Sequence, residues 1–79
     1  MKPQYINMQT KSEIQYTQIR LAIQACEDEM LQSNRMQMRL LASPVSPARG
    51  ALLELEKQHY HQAESRMKEL EILLRLIHL

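Results

Sequence analysis

Polar and apolar positions follow a helical period in two stretches, separated by one break. In the second stretch Leu53, Tyr60, Met67 and Leu74 recur every seven residues. Glu56, Ala63, Leu70 and Ile77 form a second heptad series offset by three. Two such series make a coiled-coil seam, and Glu56 is its single polar member. In the first stretch Tyr16, Ile19, Ile23, Cys26 and Met30 alternate spacings of three and four, which marks one helix face. That stripe then weakens. Ser33, Asn34 and Gln37 fall on or near it, and Met38 and Leu41 resume it one position later.

Helix-boundary signals are few. Thr10-Lys11-Ser12-Glu13 has the capping-box pattern, and no Gly or Pro interrupts from there to Leu41. Ser43-Pro44-Val45-Ser46-Pro47 is the strong break, because Pro44 pushes Ser43 out of the α region. Ser46 is placed to cap a second helix with Pro47 at its first position, where a missing N–H costs nothing. Gly50 falls in the first turn of that helix and weakens its start, which could slip to Ala51. These signals predict a flexible lead-in over residues 1–9, a helix over 10–42, a turn over 43–47 and a helix over 47–79. Each helix is about 45 Å long at 1.5 Å per residue. Two equal helices joined by a short turn pack antiparallel, so the expected fold is an all-α, coiled-coil-like hairpin. Its interhelix core is expected from Tyr16, Ile19, Ile23, Cys26 and Met30 on one side. Leu53, Tyr60, Ala63 and Met67 are expected on the other.

The final turns break the one-stripe rule of an amphipathic helix. Leu74 and Ile77 continue the seam, Leu73 and Leu76 lie beside it, and Ile72 and Leu79 widen it further. One neighbouring helix cannot cover so wide an arc, and exposed apolar patches of this kind mark protein contacts. The expected partner-binding residues are Leu70, Leu73, Leu74, Leu76 and Ile77. A competing expectation is that Tyr5, Ile6 and Met8 fold back over this end, since the turn brings the start of helix one beside it.

Composition narrows the picture. Seventy-nine residues make one small domain, marginal by itself, which favours oligomerisation or a partner. Cys26 is the only cysteine, so no disulfide forms within the chain and a reducing compartment fits. A formal net charge of +1 gives no electrostatic case for nucleic acid. No apolar run has signal-peptide or membrane-span length, so a cytoplasmic protein without a membrane span is expected.

Candidate chemistry is sparse. His59 and His61 are two apart on a helix and point about 200° apart, so they do not share a metal as an i,i+4 pair would. His78 sits near a helix C-terminus, where partial positive charge suits the dipole. Cys26 reads as a small buried hydrophobe. A turn near residue 45 would set it opposite residue 64, within range of His61 and Tyr60, but no third group would orient a base there. Arg35-Met36-Gln37-Met38-Arg39 reads as an adaptable basic helix end. No enzyme activity, cofactor or metal is expected. Glu64–Lys68 and Glu71–Arg75 have the favourable i,i+4 order.

Gln58-His59-Tyr60, Ala63-Glu64-Ser65, Leu70-Glu71-Ile72-Leu73 and Ile77-His78 together resemble the C-terminal helix of the YscE-type proteins, small co-chaperones of the bacterial type III secretion needle subunit. The resemblance covers roughly the last 25 residues, with size, hairpin architecture and near-neutral charge in keeping. It implies a non-enzymatic hairpin that binds a tetratricopeptide-like chaperone and holds the needle subunit soluble. A second resemblance is to the needle subunits themselves, helical hairpins with a P-x-x-P turn that Pro44-Val45-Ser46-Pro47 fits. A third reading is a homodimeric four-helix-bundle regulator that binds RNA or DNA, which needs a basic face that the mixed charges on both helices do not supply.

Overall fold

A computed structural model describes residues 2–78, and the side chains of residues 13–77. The chain forms two α-helices, α1 (Lys2–Ala42) and α2 (Pro47–His78), packed against each other as an antiparallel hairpin. No strand occurs among the described residues. The molecule is a rod of 66 × 20 × 13 Å.

The turn is closed by its serines and one arginine. Ser46 accepts at Oγ the backbone N–H of Arg49 at 3.1 Å, which caps α2 and leaves Pro47 at the first helical position. Gly50 donates to the Ser46 carbonyl at 3.2 Å, so α2 starts before the glycine rather than after it. On the other side, Ser43 donates from Oγ to the Arg39 carbonyl at 2.9 Å. The Arg49 guanidinium donates to the Ser43 carbonyl at 3.0 Å. One side chain of α2 thus satisfies a carbonyl that the end of α1 would leave to water.

The other end differs from expectation. Helix α1 begins at Lys2, so Thr10 lies inside it and caps nothing, and the lead-in expected over residues 1–9 is helical from residue 2 onward. Pro3 explains the earlier start. In the first turn its missing N–H is one that no helical carbonyl would use, and no Gly or Pro follows until Pro44. The side chains of Tyr5, Ile6 and Met8, expected to cover the end of α2, lie outside the described side chains, as do those of His78 and Leu79.

One bond sets the register. Ser33 donates from Oγ to the Glu56 carbonyl across the seam at 2.7 Å. Counting away from this pair, Met30 comes level with Tyr60, Cys26 with Ala63, Ile23 with Met67 and Ile19 with Leu70. The end of α2 comes level with about residue 11, so residues 2–9 of α1 run on past it. Ile23, Cys26, Ala63 and Ser33 are buried. Tyr16, Ile19, Met30, Leu53, Tyr60 and Met67 are half-buried along the same seam. The core is therefore narrow, and its most enclosed layer is made of two small side chains, Cys26 and Ala63.

The second half of the α1 stripe also needs correction. Ser33 is buried and Gln37 half-buried, in unbroken heptad register with Met30 and Leu40. Met38, expected to resume the stripe, is 71% exposed, and Leu41 also faces out. The seam keeps its period across the polar positions because they are satisfied there. Ser33 bonds the α2 backbone, and Gln37 donates to Ser33 Oγ at 3.4 Å.

Candidate protein-docking face

The apolar side chains expected to bind a partner divide into two groups. Leu70 and Leu74 are half-buried in the seam, level with Ile19 and Tyr16, so they belong to the interhelix contact rather than to a free face. Ile72, Leu73, Leu76 and Ile77 are 56, 47, 62 and 40% exposed. Geometry explains the division. A heptad seam presents two positions in seven to its neighbour, and Leu73 and Leu76 fall on the flank next to it, whereas Ile77 keeps a seam position, level with residue 12, and is exposed all the same.

The flank bearing Leu73 and Leu76 continues along one whole side of the hairpin. Leu52 and Leu55 lie on it near the turn, both exposed. Between them a shallow groove of about 430 Å³ runs over the seam, with Glu29, Ser33 and Met36 on one wall and Glu56, His59 and Arg66 on the other. Arg66 approaches Glu29 across it at 3.6 Å. Both partners are more than half exposed, a setting in which an ion pair is worth a few tenths of a kcal/mol to ~1. The opposite flank of α2 carries Lys57, His61, Glu64, Lys68, Glu71 and Arg75 and is charged along its length.

His59, His61 and Cys26 lie apart from one another. His59 and His61 point apart, each toward its own glutamate, with His59 3.9 Å from Glu56 and His61 3.8 Å from Glu64. No group of three metal-ligating side chains occurs among the described residues. Cys26 is buried level with Ala63, while the His61 ring stands in solvent beside the Tyr60 ring at 5.8 Å, edge to face. The thiol and the imidazole do not meet. Glu64 turns to His61 rather than to Lys68, and the Glu71–Arg75 pair is likewise not among the ion pairs of the described residues. Long exposed side chains gain too little from one such contact to hold it. No helix among the described residues is long and apolar enough to cross a membrane.

No known protein family, characterised protein or solved structure matches this chain.

Proposed function

We propose that the chain is a non-enzymatic protein-binding hairpin, a co-chaperone of the type III secretion needle subunit acting with a tetratricopeptide-like chaperone. The observation that carries the binding reading is the exposure of Ile72, Leu73, Leu76 and Ile77, four large apolar side chains in two turns that α1 does not cover. Water contact at such a patch is unfavourable by roughly 25 cal/mol per Å² of apolar area, and a helical partner laid along the flank removes it. The resemblance of Gln58–His78 to YscE-type helices supplies the partner class. A needle-like structural role gains less support, because the residues after the turn form one regular heptad helix.

The test is co-expression with a secretion chaperone and its needle subunit, followed by sizing chromatography. The expected result is a co-eluting complex that the double substitution Leu73→Asp/Leu76→Asp abolishes, with helix content by circular dichroism preserved. A complex that survives this double substitution rules the flank out as the docking surface.

A further inference from the structure

The flank of α2 reads nearly the same in both directions. Its members alternate spacings of three and four from Leu52 to Leu76, so they form one continuous stripe. Leu52 and Leu55 stand at one end and Leu73 and Leu76 at the other, all exposed. Between them come His59 and Gln62, then Arg66 and Glu69, all exposed. Reversing the stripe about residue 64 sets Leu52 against Leu76 and Leu55 against Leu73. The same operation sets His59, a ring N–H donor, against the Glu69 carboxylate, and the Gln62 amide oxygen against the Arg66 guanidinium. A stripe that complements its own reverse is the signature of a two-fold, isologous contact.

We infer that the occupant of this face in the free protein is a second copy of the chain, laid antiparallel with α2 against α2 about a two-fold axis at residue 64. This rests on the protein-binding reading and names the partner that the same face takes when no other is present. Helix α1 fits the arrangement. The axis passes α1 at the level of residue 25, where Ala22 and Ala25 place small side chains that let backbones approach. The area is also adequate. The stripe is about 36 Å long at 1.5 Å per residue, and the hairpin is 20 Å wide. Face-to-face packing would then cover roughly 700 Å² on each copy, within the range of stable specific interfaces. The opposite flank also pairs with its own reverse at His61/Glu71 and Glu64/Lys68, but its ends set Lys57 against Arg75, two like charges where the chosen flank has leucines. A heterologous partner that uses Leu73 and Leu76 must displace the second copy.

Light scattering on a sizing column, across the micromolar range, reads the mass directly. The expected result is twice the 9.3 kDa of the chain. Leu52→Asp/Leu55→Asp at the turn end should raise the dimer dissociation constant at least about 100-fold, as much as Leu73→Asp/Leu76→Asp at the other end. All four leucines are exposed in the single hairpin, so neither change should unfold it. His59→Glu should weaken the dimer by setting a second carboxylate against that of Glu69 in the other copy, and His59→Glu/Glu69→Lys should restore it. Positions 59 and 69 lie about 15 Å apart on one helix, too far for a contact within a chain, so rescue reports pairing between copies. A mass of 9.3 kDa at every concentration, or a larger assembly, overturns the inference. So does a dimer that only the Leu73/Leu76 change disrupts, or one that the charge swap fails to restore. A monomer that still binds the secretion chaperone leaves the proposed function standing. A dimer that binds none removes that function and keeps this inference.

Discussion

The half of the hairpin near the turn and the half near its open end hold together by different means. From Cys26 outward to the open end the enclosed side chains are apolar: Ile23, Cys26 and Ala63 are buried, with Ile19, Met67 and Leu70 half-buried around them. Toward the turn the one buried side chain is Ser33, and the half is tied by directed bonds from Ser33, Gln37, Ser43, Ser46 and Arg49. Apolar burial is large but nearly indifferent to a shift of one heptad. A hydrogen bond to a chosen carbonyl is small but tolerates no shift. The open half therefore supplies most of the stabilisation, and the turn half supplies the alignment.

Removing apolar volume in the open half should have the largest effect. Ile23→Ala empties a buried position in a core with few others, and the expected loss is ~2–5 kcal/mol. Measured by urea denaturation, such a loss would leave a hairpin of this size largely unfolded. A loss below ~1 kcal/mol would mean that the open half is not the main source of stability. Ala63→Leu approaches the same region from the other side. Ala63 is buried level with Cys26, so extra methylenes must push the helices apart, at an expected cost of ~1–3 kcal/mol.

Much of this architecture is legible in the sequence. The heptads Leu53–Tyr60–Met67–Leu74 and Glu56–Ala63–Leu70–Ile77 mark the α2 seam, and Ser46-Pro47 marks its cap. The second half of α1 misleads because apolar character is a proxy for burial. Ser33 and Gln37 interrupt the apolar run but not the period, and the seam follows the period. A usable signal is present nonetheless. Once the turn is set at residues 43–47, the polar exception Ser33 on α1 falls opposite Glu56, the polar exception on α2. The hydroxyl of Ser33 then has a backbone carbonyl of α2 within reach, and it bonds that carbonyl rather than the Glu56 carboxylate, which faces His59. The start of α1 misleads for another reason. Thr10 and Glu13 form a capping box only if the chain before them leaves the helix, and Pro3 lets the helix begin at residue 2 instead. The seam positions of Leu70 and Leu74 are not legible in the apolar run at the end of α2, because that run does not itself separate seam from flank. Only the register with Ile19 and Tyr16 does so.

Directed bonds of the turn half should be weaker than Ile23 and should separate alignment from stability. Ser33→Ala removes a hydroxyl whose acceptor, the Glu56 carbonyl, retains its own helical bond. The expected loss is about 1 kcal/mol. The more telling readout is pairing: with cysteines introduced at Gln37 and Leu53 in a Cys26→Ala background, cross-linking should lose specificity when Ser33 is replaced. Unchanged specificity would transfer the alignment role to the turn itself. Ser46→Ala tests that possibility, because it frees the Arg49 N–H at the start of α2, at an expected cost of about 1 kcal/mol.

The smallest effect should have the opposite sign. Gly50 lies in the first turns of α2 with ordinary helical backbone, and a Cβ placed there meets nothing within 4 Å. No contact is lost and no strain is introduced by Gly50→Ala, while the freedom of the unfolded chain falls. The substitution should stabilise by about 0.5–1 kcal/mol, read as a higher urea midpoint with an unchanged slope. It also bears on the division between the halves. If the turn half contributes alignment but little stability, stiffening its weakest helical position should raise the midpoint of Ile23→Ala by the same increment as that of the parent, since the two sites lie far apart and share no contact. A larger gain in the Ile23→Ala background would show the two halves unfolding separately, with the turn half able to persist after the open half has come apart.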